Sequence, residues 1–178
     1  MTTHTHSYNS GEYIRVDGTN FSIAQISASG QCFRMTEQEG GWFQVIANGQ
    51  RLRLKQEQPS TSNKCQKNSV ILMDCSEADF QTIWKSYFDL NTDYRRFLTG
   101  IDPADTYLQS AVAYGSGIRI LRQDLWEMII TFIISQQKTI PAIRALVEAL
   151  SEKYGTRYEL SSGYYYAFPT PEELNHAS

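Results

Sequence analysis

Along the first half of the chain apolar and polar residues alternate in short runs. Along the second half apolar residues recur every three or four positions. Tyr13-Ile-Arg-Val16 reads as a short strand closed by the turn Asp17-Gly18. Cys32-Phe-Arg-Met35 and Trp42-Phe-Gln-Val-Ile46 read as two more strands, separated by a turn near Gly40-Gly41. Asn48-Gly49 is a two-residue hairpin signal, and Arg51-Leu-Arg-Leu54 after it alternates with period two. Gln56 to Lys67, with Pro59, is polar and predicts a loop; Val70-Ile-Leu-Met73 predicts a buried strand. These pieces add up to an antiparallel meander.

From Ser76 the period changes. Ser76 with Asp79 forms a helix cap, and Phe80, Ile83, Trp84 and Tyr87 follow at helical spacing. Leu90 to Gly100 reads as a linker. Asp102-Pro103 predicts the next helix start, with Tyr107, Leu108, Ala111 and Val112 on one face and Gly115 to Gly117 ending it. Asp124 with Glu127 predicts another cap. Trp126 to Ile134 is apolar nearly all round, which predicts a central core helix. Ser135 to Thr139 breaks that pattern. Thr139 and Pro141 then open a helix with Ile143, Val147, Leu150 and Tyr154 as its buried stripe and Gly155 at its end. Tyr164-Tyr-Tyr166 reads as core packing or, equally, as a loop packed on the helices. Thr170 to Leu174 reads as one more helix start, four residues before the last position, as though the helical unit continued.

Strands first and helices afterwards make an α+β arrangement. A polar, disordered leader is expected over 1–10, a sheet unit over 11–98 and a helical unit over 99–178. No apolar run approaches the length of a membrane span, and the first ten residues lack a signal-peptide apolar stretch. An intracellular monomer with no membrane partner is therefore expected. Cys32, Cys65 and Cys75 form no metal or redox pattern, and His4 and His6 lie in the leader. No metal or cofactor is expected. The net charge of −3 is unlike that of most nucleic-acid binders. Basic residues exceed acidic ones only between Ser116 and Arg157, so any DNA-facing surface should favour that stretch, whose charge equally suits an ordinary solvated face.

Three segments carry a family resemblance. Ser29-Gly-Gln-Cys-Phe-Arg34 resembles the strand-entry motif SGQxFRW of the 8-oxoguanine DNA glycosylases, with Met35 where tryptophan is usual. Tyr87-Phe-Asp-Leu90 with Tyr94 is similar to the junction YFxLxxxY of that family. Gly117-Ile-Arg-Ile-Leu-Arg-Gln-Asp-Leu-Trp-Glu127, continuing to Phe132-Ile-Ile-Ser-Gln-Gln-Lys-Thr-Ile140, resembles GxRxLxQDPWE…FIxSQNNxI, with Leu125 in place of proline. The motifs stand in family order. The resemblance implies a TBP-like antiparallel sheet domain followed by the first helices of an all-α helix-hairpin-helix glycosylase domain. It implies base-excision repair of oxidised purines, by glycosylase and AP lyase chemistry, on double-stranded DNA containing 8-oxoguanine.

Under that resemblance Gly30 is the base-reading residue. The oxidised base carries an N–H at N7 where guanine has a lone pair, and a backbone carbonyl there accepts from the first and repels the second. Glycine permits that close approach. Gln137, Lys138 and Thr139, between two helices, take the place of the family's gap-filling asparagines and suit a DNA phosphate. Arg144 is a possible substitute for the arginine that reads the opposite base, since Pro141-Ala142 follows Ile140. Arg34 reads equally as a DNA contact or as the partner of an acid inside the sheet domain. The aromatics Phe33, Trp42, Trp84, Tyr87, Trp126 and Phe132 read as core, and Asp124 and Glu127 as caps.

The family's nucleophilic lysine, in a hairpin of LxGVGxKxA type, and its aspartate have no counterpart here. They are expected beyond the end of this chain, so the 178 residues alone are expected to be catalytically inactive. The alternative is a non-catalytic module that binds damaged DNA. The apolar faces after Asp102 also call for partners, so the isolated chain should show a poorly ordered second half. A cooperative thermal transition with full helical content, measured by circular dichroism, would contradict this.

Overall fold

The computed structural model describes residues 4–5, 13–58, 69–161 and 163–175. In chain order β1 (His4–Thr5) comes first and joins two later strands in a small second sheet; the first layer then comprises β2 (Ile14–Asp17), α1 (Ile23–Ala28), β3 (Met35–Glu37), β4 (Trp42–Ala47), β5 (Gln50–Glu57) and β6 (Val70–Asp74). Two helical turns, α2 (Glu77–Asp79) and α3 (Lys85–Tyr87), follow, joined through the π-helical stretch Phe80–Trp84. Then come α4 (Arg95–Leu98), α5 (Thr106–Gly115), α6 (Leu125–Ser135), α7 (Ile140–Tyr154), β7 (Arg157–Leu160), β8 (Gly163–Tyr166) and α8 (Pro171–Asn175).

The main sheet is antiparallel throughout, in the order β2-β6-β5-β4-β3. Ala47 pairs with Gln50, so Asn48 and Gly49 form the two-residue turn, both with positive φ (51° and 72°). Strand alternation sends Val45, Leu52, Leu54, Ile71 and Met73 to one face, all fully buried. Ile23 and Ile26 of α1 and the aromatic group Phe21, Trp84, Tyr87 and Phe88 cover that face. Phe88 meets Phe21 and Tyr87 edge-on at ring distances of 5.4 and 5.0 Å. Ser76 caps the covering helix as expected, its hydroxyl accepting from Asp79 N–H at 3.0 Å.

Several expectations are corrected. The strand expected over Cys32–Met35 begins only at Met35, because Phe33 and Arg34 form a turn that leads the chain into the sheet. Gln56 and Glu57 still belong to β5, and 59–67 of the expected loop lie outside the described residues. The expected linker contains α4. The helix expected to start at Asp102-Pro103 starts at Thr106 instead. Asp105 is its cap, accepting from Leu108 N–H at 2.9 Å, and Asp102 closes a separate turn on Ala104 N–H. The Tyr164–Tyr166 run is a strand: β8 pairs with β7, and Tyr158 stacks on Tyr165 at 5.2 Å. His4–Thr5, within the expected disordered leader, pair parallel with Tyr158–Glu159; the rest of the leader lies outside the described residues. Gly155 ends α7 in an extended conformation rather than a left-handed one. A side chain there would collide with the Ala167 carbonyl oxygen.

The largest correction concerns α6. It is not enclosed: Leu125 and Phe132 are each 70% exposed, and Met128, Ile129 and Ile133 are exposed too. Its sequence is that of a buried helix, but its main packing partner among the described elements is α7 alone. Helix α5 has no buried residue, and Tyr107 is 82% exposed. Helix α7 does bury Ile143 and Val147, as its stripe predicts, together with Ser151. Among the described residues no helix is long and apolar enough to cross a membrane.

Residues 117–124 lie past the boundary expected at 98/99, yet they dock on the first layer and Leu121 enters its core. Ser22 N–H donates to Gly117 O at 2.8 Å. A Cβ on Gly117 would collide with Ser22 Cβ and approach Gln25 Oε1 to 2.7 Å. Gly117→Ala should therefore cost about 1–3 kcal/mol, read by chemical denaturation. No measurable loss would mean that this contact is loose.

Candidate DNA-recognition surface

The three motif segments meet at one seam. Gly30 follows α1, whose last turn is closed by Ser29 Oγ donating to Ile26 O at 2.7 Å. Gly30 has φ +78°, a conformation that favours glycine, and nothing lies within 4 Å of where a Cβ would stand. Among the described residues no donor reaches its carbonyl oxygen. The segment 117–124 runs beside it. Gln31 Nε2 donates to Arg119 O and Gln31 Oε1 accepts from Leu121 N–H, each at 3.0 Å.

On its other side that segment meets the second motif. Asp89 is buried and accepts from Arg122 Nε at 2.9 Å and from Tyr94 Oη at 3.1 Å. Burial raises its carboxyl, but hydrogen bonds from Thr92, Arg122 and Tyr94 outweigh that and hold it below the usual value. The Arg119 guanidinium is buried over the Tyr94 ring at 4.7 Å and donates to Asp89 O at 2.9 Å. Burial lowers its pKa.

Arg34 forms an internal ion pair, but its acid lies on α7 and not in the sheet domain as expected. It is 2% exposed and forms a two-bond pair with Glu148 of α7, at 3.0 and 3.2 Å, plus a 2.7 Å bond to Tyr166 O. The turn that displaces β3 thus aims Arg34 at the helical layer. Cys32, Tyr87 and Glu127 lie near it. Burial raises the Cys32 thiol and the Tyr87 hydroxyl.

The other sequence-predicted residues stand at the far end of α6. Eleven residues of helix, about 16 Å, separate the seam from Gln137, Lys138 and Thr139. These three are exposed, and Gln137 has φ +57°. Thr139 is the cap residue of α7, but its side chain makes no capping bond, and Pro141 supplies no N–H. Gln136, Gln137 and Lys138 line a cleft of about 550 Å³ with Ile133, Ile134, Leu146 and Leu150. Arg144 is half-buried on α7, and its Nε has no partner among the described residues. The loop and Arg144 are therefore neighbours on α7, whereas Gly30 is set apart on the sheet side. Among the described residues no three His, Cys, Asp or Glu side chains gather as a metal site.

Residues 13–129 match the family model of the 8-oxoguanine DNA glycosylase N-terminal domain. The chain belongs to the 8-oxoguanine DNA glycosylase family. It is 32% identical over 108 residues to the N-glycosylase/DNA lyase of Saccharomyces cerevisiae, a stretch covering 59% of this chain and 28% of that protein. Two solved glycosylase structures superpose on nearly the whole chain. MBOgg1 with a low-affinity DNA ligand does so with TM-score 0.80 and 36% identity, over 95% of this chain and 56% of its own. The Clostridium acetobutylicum 8-oxoguanine glycosylase/lyase, with double-stranded DNA containing cytosine opposite 8-oxoG, gives 0.76 and 32%, over 96% and 57%. The chain thus spans little more than half of these glycosylases. Archaeoglobus fulgidus 3-methyladenine DNA glycosylase shares the fold at 15% identity and TM-score 0.57.

Sequence reasoning missed Gln31, Gln123, Arg119 and Asp89 as seam residues. All four lie inside the motifs, and that was their only signal. Glu127, beside the Arg34 pair, offers a direct test. Burial, with Asp124 and Glu148 adding to it against Arg34, pushes its carboxyl up to about 7. A folded value above the unfolded one means that protonation stabilises the fold. That gain is complete below about 4.5 and is lost as pH rises through about 7. Glu127→Gln should therefore stabilise the chain by about 1–3 kcal/mol near pH 8 and by nothing near pH 4. Equal effects in denaturant melts at both pH values would contradict this.

Proposed function

We propose that this chain carries the lesion-reading part of an 8-oxoguanine DNA glycosylase with AP lyase activity, acting in base-excision repair on double-stranded DNA. One observation carries the reading: on a family-matched segment, Gly30 holds a left-handed conformation with open space beside it and a carbonyl that no donor reaches among the described residues. A carbonyl so placed accepts from the N7–H of 8-oxoguanine and opposes the N7 lone pair of guanine. In this reading Gln137, Lys138 and Thr139 meet the duplex at the gap left by the extruded base, with backbone N–H groups and the lysine on a phosphate. Arg144 supports them from the next turn of α7. The setting is intracellular, on the nucleoid in a bacterial cell. The second reading, a binding module without chemistry, is favoured by the exposure of Lys138, because an amine nucleophile works from an enclosed site.

Two measurements separate these readings. The chain should bind a duplex with 8-oxoguanine opposite cytosine several-fold more tightly than the guanine duplex, and both affinities should fall with salt. Equal affinities would end the lesion-reading proposal. Borohydride treatment of the chain on the lesion duplex should trap no covalent adduct. A trapped adduct would show that these residues carry a nucleophile of their own.

A further inference from the structure

Gln31, whose N–H shares a peptide with the Gly30 carbonyl, is gripped by side-chain amides at the seam. The Gly30 C=O and the Gln31 N–H share one peptide plane, so whatever fixes Gln31 fixes the direction of that carbonyl. Every polar atom of Gln31 is engaged. Its N–H donates to Ser29 Oγ at 3.4 Å, and its Nε2 donates to the same oxygen at 3.0 Å. The carboxamide also bonds Arg119 O and Leu121 N–H, each at 3.0 Å, as a neighbouring strand would. Its own carbonyl accepts from Gln123 Nε2 at 2.6 Å.

We propose that Gln31 and Gln123 are positioning residues for lesion recognition, an amide clamp that fixes Gln31 on segment 119–123 and through it the direction of the Gly30 carbonyl. This inference rests on the Gly30 reading given above. Neither side chain needs to touch the base. Glycine is the least restrained residue, and a hydrogen bond weakens steeply once its angle falls below about 120°. A carbonyl left free to swing loses the contrast between an N–H and a lone pair, while phosphate contacts elsewhere are untouched. The clamp therefore governs selectivity rather than overall affinity.

A control for mere structural support is built into the same seam. Gln25 joins α1 to the helical layer by the same chemistry, donating to Tyr114 O at 2.6 Å and accepting from Gly117 N–H at 3.0 Å. These bonds reach neither Gly30 nor Gln31. The test measures affinity of the 178-residue chain for 8-oxoguanine and guanine duplexes, with the melting temperature of each variant. Gln31→Ala and Gln123→Ala should each lower the lesion-to-guanine selectivity about fivefold, the factor carried by one net hydrogen bond. Affinity for the guanine duplex, set by phosphate contacts, should stay within about twofold. Gln25→Ala should lower the melting temperature and leave selectivity intact. Unchanged selectivity in the Gln31 and Gln123 variants overturns the clamp, as does an equal loss in Gln25→Ala. If Gln31→Ala does not fold, Gln123→Ala, which loses one bond, decides. A wild-type chain without selectivity refutes the Gly30 reading and the clamp together; a selective wild type with equally selective variants refutes the clamp alone.

Discussion

A polar group taken out of water has to be met by a partner, and here that demand joins the sheet to the helices. Arg34 leaves the sheet at a turn and is buried almost completely, so its charge is answered across the seam by Glu148 and Tyr166 O. Arg119 does the reverse, coming from the helical side to lie over Tyr94 and donate to Asp89 O. Gln25 and Gln31 add bonds between amide side chains and backbone. Each pair is costly to break singly. Removing one partner strands the other, at about 3–5 kcal/mol for a buried charge. The three motifs therefore meet as one joint.

That joint gives the proposed recognition carbonyl its setting. Gly30 belongs to the sheet layer by sequence, but its neighbours on the seam belong to the segment before α6. The loop proposed to face the DNA gap hangs at the other end of α6. A single helix thus spaces the two candidate contacts. The same helix leaves Leu125 and Phe132 in the open. Its composition predicts enclosure, and the chain spans little more than half of the solved glycosylases it resembles.

What the sequence made legible follows from local chemistry. Asn48-Gly49 declared its turn because two consecutive positive φ angles exclude most other residues. Ser76 and Asp124 declared their caps by residue type and spacing. Thr170 with Glu173 forms a capping box, with bonds of 3.2 and 2.7 Å in the two directions. The misses needed partners distant in sequence. Helix α1 has six residues, too few for a periodic signal. The tyrosines of β8 look like a loop until Tyr158 stacks on Tyr165. The exposure of α6 and the pairing of Arg34 with Glu148, 114 positions away, depend on packing that no short window contains. Gly30 and the α6–α7 loop were legible only through the family resemblance, since an isolated glycine and an inter-helix turn are common.

The central claim is that the Gly30 carbonyl reads the N7 position of the lesion. The most direct measurement is the carbonyl carbon resonance of Gly30 as the chain is titrated with duplexes that differ only in 8-oxoguanine or guanine. The account predicts that the Gly30 resonance moves with the lesion duplex and not with the guanine duplex, while Gln137, Lys138 and Thr139 respond to both. A Gly30 resonance that stays still with both duplexes, or moves equally with both, would contradict it.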